Sequence, residues 1–202
     1  MDIIFDLDGT MWNSTKEICI AWNNVLKQNN SVLNFDNNFF NKIMGKSNED
    51  IKLILKNEYF INKEDFLDYC QKEELVVLKN QGAFIYPNVI ETIKTLSKKH
   101  NLYIASNCQN GYIDCFLDYY NVRECFKDYI CSDNIYKNKT ESLSELIKKN
   151  NIKDFYYIGD TQGDFTACSN LGGKFIFVSY GFGFVDTENK IDNFSELLDV
   201  FI

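Results

Sequence analysis

The sequence predicts an α/β fold, with a doubly wound parallel sheet and an all-helical domain inserted after the first strand. Residues 2–6 are almost continuously apolar, which is typical of a parallel strand buried on both faces. Residues 14 to about 83 show only helical periodicity. From residue 84 onwards, strand-like and helix-like segments alternate, and this alternation predicts a parallel sheet with helices on both faces.

The insert is predicted to consist of helices throughout. Ser14 and Glu17 have the spacing of a capping box, and the apolar residues that follow them fall on one helical face. Ser47 and Asn62 are plausible N-caps of two later helices. These later helices are expected at about 36–44, 48–57 and 63–80.

The remainder of the chain is predicted to complete the sheet. Pro87 is placed to open a helix, and Gly172-Gly173 is placed to end another. Strands are expected at 102–105, 129–131, 155–158 and 175–178, and further helices at about 110–120, 140–150, 163–171 and 195–201. We therefore divide the chain into a core, residues 1–13 and 84–202, and a helical domain, residues 14–83.

Composition and charge limit the classes of function. The chain has 202 residues, of which 45% are hydrophobic, so it can bury a sizeable core. Its formal net charge of −8 argues against nucleic acid as a main partner. We expect no membrane span and no signal peptide, because no run of about 18 apolar residues occurs and the N-terminus is acidic. The seven cysteines form no C-x-x-C pair, which favours reduced thiols in a cytoplasmic protein.

Polar side chains follow the predicted strands at their carboxyl ends, where open parallel sheets bind ligands. Four carboxylates, a hydroxyl, an amide and an ammonium are therefore expected to meet in one crevice. They are Asp6 and Asp8 after the first strand, Ser106 and Asn107 after the second, Lys139 before the helix that follows the third, and Asp160 and Asp164 after the fourth.

The clustered carboxylates predict a bound cation. Asp6 and Asp8 are two residues apart, and ionised carboxylates held that close repel unless one is protonated or a cation lies between them. Asp160 and Asp164 make the cation the better explanation. All of these ligands are oxygen, which favours Mg²⁺ over zinc.

Magnesium in such a setting is typical of phosphate chemistry. Lys139 and Ser106 are expected to hold phosphate oxygens, and the turn amides after Asp8, at Gly9 and Thr10, would add donors. The alternative is that the stretch from Asp6 to Gly9 is only a turn with acids at a helix entry. The single histidine, His100, argues against hydrolases that rely on a catalytic histidine.

These motifs closely resemble those of the haloacid dehalogenase superfamily, in its phosphatase branch. FDLDGT (5–10) resembles the first motif, Ser106 the second, Lys139 the third and GDTQGD (159–164) the fourth. The resemblance covers essentially the whole chain and implies a Rossmann-like core. The helical insert resembles the small cap of phosphoglycolate phosphatases and β-phosphoglucomutases.

The resemblance implies a role for each motif residue. Asp6 would be the nucleophile that forms an aspartyl-phosphate, and Asp8 the general acid and base. Mg²⁺ would be held by Asp6, the backbone carbonyl of Asp8 and Asp160, whereas Asp164 would contact a metal-bound water or orient Lys139. Dehalogenases of the superfamily lack the second aspartate, so Asp8 favours phosphoryl transfer.

Other assignments stay more open. Ser106 would bind a phosphoryl oxygen, and Asn107 is either a substrate contact or a turn residue. Lys139 is preferred over Lys137 for the third motif, because it directly precedes a helix. Lys46, between two helices of the insert, either reaches the distal end of the substrate or is a solvated lysine in a turn.

Two further features are interpreted structurally. Asn13 stands where many relatives carry aspartate, and we expect this to alter the connection to the insert rather than the chemistry. The YGFG run at 180–183 is interpreted as a glycine turn near the edge of the core.

The leading prediction is a Mg²⁺-dependent phosphatase for a small phosphorylated metabolite, monomeric or weakly dimeric. The family resemblance implies a phosphoglycolate phosphatase-like enzyme, and the substrate itself cannot be read from the sequence. A phosphomutase needs the same residues plus a cap that excludes water, and a catalytically silent binding protein is a third possibility. A signalling receiver is disfavoured, because receivers carry the phosphorylated aspartate on a middle strand and have no helical insert.

Overall fold

A computed structural model describes residues 1–44, 46–63, 65–132, 135–136 and 138–202, apart from the side chain of Asn41. The strands of the described residues are β1 (Asp2–Phe5), β2 (Trp12–Asn13), β3 (Phe84–Ile85), β4 (Asn101–Ser106), β5 (Phe126–Cys131), β6 (Phe155–Gly159), β7 (Lys174–Val178) and β8 (Lys190–Ile191). The helices are α1 (Thr15–Gln28), α2 (Asn37–Ile43), α3 (Asn48–Tyr59), α4 (Phe66–Gln81), α5 (Val89–Leu96), α6 (Tyr112–Tyr119), α7 (Lys139–Lys149), α8 (Gln162–Asn170) and α9 (Leu197–Phe201).

Six strands form one sheet in the order β5-β4-β1-β6-β7-β8, and every neighbouring pair is parallel. Strand β1 lies between β4 and β6, and Ile3, Ile4 and Phe5 in it are fully buried. The continuous apolar pattern therefore correctly predicted a strand covered on both faces. The order also brings the carboxyl ends of β4, β1 and β6 side by side.

Helices cover both faces of this sheet. Ile3 and Phe5 pack in one hydrophobic cluster with residues of α5, α6 and α9. Ile4 belongs to a second cluster, with residues of α7 and α8. Because alternate residues of one strand enter different clusters, the doubly wound arrangement is confirmed.

The helical insert (α1–α4) packs around a group of aromatic rings, which belong to the same hydrophobic cluster as Ile3 and Phe5. Trp22 is almost fully buried and makes edge-on or tilted ring contacts with Phe35, Phe39, Phe40 and Phe66. The chain enters the insert along β2 and leaves it along β3, and these two short strands pair antiparallel. This pair was not predicted, and the domain boundaries at 13/14 and 83/84 stay a prediction.

Several local predictions meet different outcomes. Ser47 is confirmed as the N-cap of α3, since its hydroxyl accepts the Asp50 N–H. The prediction of a capping box between Ser14 and Glu17 is wrong, because the Ser14 hydroxyl donates to the buried carboxylate of Asp8 instead of capping α1. Asn13 accepts the Thr15 N–H at 3.0 Å, so its side chain supports the start of that helix.

Two other helix starts differ from the sequence prediction. Asn62 is not the N-cap of α4, which begins at Phe66 with Asp65 before it. Pro87 lies two residues before α5, because Asn88 adopts a left-handed conformation with φ 64° and the helix begins at Val89. Strand β8 was missed, since two residues are too few to show an alternating pattern.

All seven cysteines are free thiols. Among the described residues, no helix is both long and apolar enough to cross a membrane.

Phe40 and Phe60 test the packing of the helical insert. Phe40 is fully buried, whereas Phe60 is 81% exposed. Phe40→Ala leaves a cavity and should lower the free energy of unfolding by about 3–5 kcal/mol. Phe60→Ala should change it by less than about 0.5 kcal/mol. Urea unfolding followed by circular dichroism measures both, and equal losses would contradict the described packing.

Candidate active site

The predicted convergence of polar side chains occurs at the carboxyl ends of the three central strands. Asp6 directly follows β1, Ser106 is the last residue of β4, and Asp160 directly follows β6. The Asp6 N–H donates to the Ile158 carbonyl at 2.8 Å, which extends the pairing of β1 and β6 by one residue. All three polar side chains are buried.

Three carboxylates form a tight cluster at this edge. Asp6, Asp160 and Asp164 each offer an oxygen that lies within 4.8 Å of the other two. The expected fourth member, the Asp8 carboxylate, is not in this cluster of described residues. Strand β1 ends at Phe5, its pairing with β6 extends only to the Asp6 N–H, and Gly9 turns the chain with φ 83°. Asp8 therefore does not share a strand face with Asp6.

Lys139 joins this cluster from the first turn of α7. Its Nζ is 2.6 Å from Oδ1 of Asp6 and is also hydrogen-bonded to Oδ1 of Asp164. The lysine is only 8% exposed and lies over the ring of Tyr157, 5.7 Å from its centroid. The attraction of two acidic neighbours thus offsets the energetic cost of removing the Lys139 ammonium from water.

Asp164 also forms part of the N-terminal capping box of α8. Its Oδ2 accepts the N–H and the hydroxyl of Thr161, at 2.9 and 2.7 Å, while the Thr161 hydroxyl accepts the Asp164 N–H. This reciprocal capping box fixes the carboxylate in place. Oδ1 bonds Lys139 at the same time. Whether Asp164 serves to orient the lysine or to contact a metal-bound water stays a prediction.

The charge balance of the cluster favours a cation. Burial raises the pKa of the Asp6 carboxyl well above its usual range; Lys139 lowers that pKa, and Asp164 and Asp160 raise it. Burial and the neighbouring Asp164 also raise the pKa of Asp160 to about 7. Oδ1 of Asp160 is buried and has no hydrogen-bond partner. An oxygen-only donor set with one unpartnered oxygen fits Mg²⁺.

The YGFG loop at 180–183 holds Asp160 from the other side. The Phe182 N–H donates to Oδ2 of Asp160 at 2.7 Å. A Cβ on Gly181 would lie 2.3 Å from Cβ of Asp160, so only glycine permits this approach. Tyr180 donates to the Thr10 carbonyl at 2.9 Å. The sequence analysis interpreted this run only as a turn. Its two alternating glycines, which follow the last long strand, were the available signal that backbone approaches the site here.

Asp8 lies in a hydroxyl-lined pocket of its own. Ser14 and Tyr112 donate to its Oδ1 at 2.8 and 2.9 Å, and their two hydroxyl oxygens are 2.6 Å apart. Burial raises the pKa of Asp8 to about 6, while hydrogen bonds from Ser14 and Tyr112 lower it. Sequence reasoning missed both partners. Ser14 has the spacing of a helix cap, and Tyr112 is 104 residues away from Asp8.

The remaining predicted residues lie around these groups. Oδ1 of Asn107 accepts the Ser132 hydroxyl at 2.9 Å, which favours its role in the loop after β4. Thr10 follows the Gly9 turn, and its hydroxyl is buried without a partner. Lys46 is exposed and lines a cavity that also contacts Asp8 and Asn107. Lys137, the alternative to Lys139, lies outside the described residues.

The model of the family described as haloacid dehalogenase-like hydrolase matches residues 3–178, which is most of the chain. The chain belongs to this family. The family resemblance of the four motifs is thereby confirmed, and all of the predicted site residues fall inside the matched segment. The YGFG loop that holds Asp160 lies just beyond it.

The chain is also similar to individual proteins along nearly its whole length. A protein from Aquifex aeolicus named phosphoglycolate phosphatase is 26% identical over 201 residues, covering 96% of this chain and 90% of the relative. CbbY from Rhodobacter sphaeroides, solved in complex with phosphate, superposes with a TM-score of 0.83 at 15% identity, covering 97% and 95%. A predicted phosphoglycolate phosphatase from Haemophilus somnus gives a TM-score of 0.81 at 20% identity, covering 98% and 96%. The two solved structures confirm the fold.

Tyr112→Phe tests the pocket around Asp8. The Tyr112 hydroxyl donates to the carboxylate and stabilises its ionised form, so its removal should raise the pKa of Asp8 above its present value of about 6. A rise on the order of one pH unit is expected. Carboxyl-carbon NMR during a pH titration measures it.

Tyr119→Phe is the matched control, since Tyr119 is on the same helix and 47% exposed. It should leave the pKa of Asp8 unchanged. A pKa that stays the same or falls in Tyr112→Phe would contradict the hydrogen-bonded arrangement.

Proposed function

We propose that the protein is a Mg²⁺-dependent phosphatase that hydrolyses a small phosphomonoester through an aspartyl-phosphate on Asp6. The observation that carries this proposal is the buried contact of Asp6 with Lys139 inside the three-carboxylate cluster. A carboxylate held beside an ammonium at a sheet edge is a positioned nucleophile with a cation for the phosphoryl oxygens. The relatives named phosphoglycolate phosphatase support a small phosphorylated substrate.

Asp6, Asp160 and the backbone carbonyl of Asp8 would hold Mg²⁺, with Asp164 beside them. When bound, the ion supplies positive charge that offsets the repulsion between an anionic phosphate and these carboxylates. The cluster can accept this positive charge, because its three carboxylates outnumber the single ammonium of Lys139.

Asp6 attacks phosphorus, the bond from phosphorus to the leaving oxygen breaks, and Asp8 gives that oxygen its proton. In the second step Asp8 takes a proton from water, which attacks the aspartyl-phosphate and releases inorganic phosphate. A pKa of about 6 suits a group that must both give and take a proton near neutrality. Ser14 and Tyr112 position its carboxylate for both steps.

The other site residues bind the phosphoryl group. Ser106 and Lys139 contact its oxygens, and the amides of Gly9 and Thr10 add donors, with Asn107 at the rim. The helical insert, residues 14–83, acts as a cap over this site and favours small molecules over macromolecules. We propose a cytoplasmic enzyme, monomeric or weakly dimeric, without a nucleic-acid or membrane partner.

Asp8 argues against cleavage of carbon–halogen bonds, because dehalogenases of the superfamily lack the second aspartate. A phosphomutase would use the same residues. Product analysis separates the two activities: free phosphate indicates hydrolysis, whereas an isomeric sugar phosphate indicates a mutase.

Asp6→Asn tests the nucleophile. Phosphate release from a panel of small phosphomonoesters should require Mg²⁺, stop with EDTA, and fall by about a thousandfold or more in Asp6→Asn. Circular dichroism should show an unchanged fold. Release that persists with EDTA or in the variant would contradict the proposed mechanism, and no release on any substrate by the folded protein would favour a mutase or a silent binder.

Lys139→Ala tests the ammonium that contacts Asp6. Its loss leaves Asp6 and Asp164 without their shared cation and should abolish turnover. Lys137→Ala, two residues away in the sequence, should retain activity. The reverse result would assign the third-motif role to Lys137.

Lys46→Ala tests the expectation that Lys46 reaches the distal end of the substrate. Loss of a contact made equally in the ground state and the transition state should raise KM several-fold and leave kcat nearly unchanged. An unchanged KM on the best substrate would show that Lys46 is only a solvated residue in a turn.

A further inference from the structure

A small cavity lies between the helical insert and the core, next to Asp8. Its volume is about 50 Å³, room for a few atoms the size of a water oxygen. It borders both Asp8 and Asn107, so the part of a substrate that extends away from the phosphoryl group would enter it. Polar side chains from both sides line it, including Lys46, Asn48, Gln71, Glu74 and Gln109.

Among these polar side chains, Glu74 is a buried carboxylate that none of the ion pairs of the described residues includes. It lies on α4 and is only 4% exposed. One carboxylate oxygen accepts the Trp22 indole N–H, and the other accepts the Gln109 amide at 2.6 Å. The mechanism proposed above makes no use of this carboxylate.

The two neutral donors fix the carboxylate without cancelling its charge. Each oxygen has capacity for a further hydrogen bond, because a carboxylate accepts about four. Lys46 is the one cation among the described lining residues, and it is exposed, whereas Glu74 is buried. The buried part of the cavity therefore favours a group that donates a hydrogen bond.

This inference rests on the proposed function. We propose that Glu74 makes this enzyme select phosphomonoesters with a distal hydroxyl over those with a distal carboxylate, so that its preference differs from the phosphoglycolate in the names of its relatives. A hydroxyl donates to Glu74 and accepts from the Gln71 amide, which carries a second N–H besides the one that it donates to Asn48. A carboxylate can only accept, and it would bring a second negative charge next to a buried one. Glu74 is thus a specificity-determining residue contributed by the insert.

The test compares two pairs of substrates that differ only at the distal group. These are 2-hydroxyethyl phosphate against 2-phosphoglycolate, and glycerol 3-phosphate against 3-phosphoglycerate. Burial raises the pKa of Glu74 to about 7, so assays at pH 8 keep it largely ionised. In the wild type, kcat/KM should be at least about tenfold higher for the hydroxyl member of each pair, because a second negative charge next to a buried carboxylate is unfavourable.

Glu74→Gln should shrink this ratio by about tenfold or more, because it removes the charge and keeps the shape. Glu73→Gln is the matched control, since Glu73 is the adjacent carboxylate and bonds Asn24 at 3.1 Å instead. It should leave the ratio unchanged. The wild-type ratio is informative even where Glu74→Gln fails to fold.

Several results would overturn the inference while leaving the proposed function intact. They are equal or faster release from the carboxylate members, release from neither pair while p-nitrophenyl phosphate is hydrolysed, and equal losses on both members in Glu74→Gln. Failure to release phosphate from any phosphomonoester, p-nitrophenyl phosphate included, would instead overturn the proposed function and this inference with it.

Discussion

The ammonium of Lys139 lies between the carboxylates of Asp6 and Asp164, and the arrangement of the site depends on this buried bridge. Without it, three carboxylates within 4.8 Å of one another would have no cation among the described residues that contact them. Buried charges of one sign are costly, so a single ammonium is the minimum that permits this cluster to be ionised. Because one ammonium cannot balance three carboxylates, the cluster remains suited to a further cation.

The fold supplies the other constraints on the site. Parallel pairing of β4, β1 and β6 brings three strand ends together, and each end contributes one polar residue. The capping box of α8 fixes Asp164, while the glycines at 9 and 181 allow backbone to approach Asp160 closely. The sheet thus sets the positions of the proposed nucleophile and of the proposed metal ligands, whereas we propose that the insert contributes residues that contact the rest of the substrate.

Much of this site could be predicted because the strands are short, apolar runs with polar residues at their ends. The positions of Asp6, Ser106 and Asp160 follow from that pattern and from the rule that ligands bind beyond the carboxyl ends of parallel strands. Lys139 could be predicted because it stands at the start of a helix, where the sequence placed it directly before one.

The partners of Asp8 could not be predicted in this way. Periodicity indicates which residues are buried, but not which distant residue each one contacts. Ser14 has the spacing of a helix cap, and only the structure shows that its hydroxyl bonds Asp8 instead. Tyr112 and Glu74 looked like ordinary helix residues in sequence, since the residues that they contact are far away in the chain: Asp8 for Tyr112, and Trp22 and Gln109 for Glu74. Contacts of this kind leave little local signal in a sequence.

Thermal unfolding with increasing MgCl₂, at constant ionic strength, tests the central claim that the acidic cluster is a cation site. A ligand that binds only the folded state raises Tm with concentration. We expect Tm of the wild type to rise with MgCl₂ and that of Asp160→Asn to stay constant, because Asp160 carries the buried, unpartnered oxygen. A wild-type Tm that does not respond to millimolar Mg²⁺, or an equal rise in Asp160→Asn, would contradict the account.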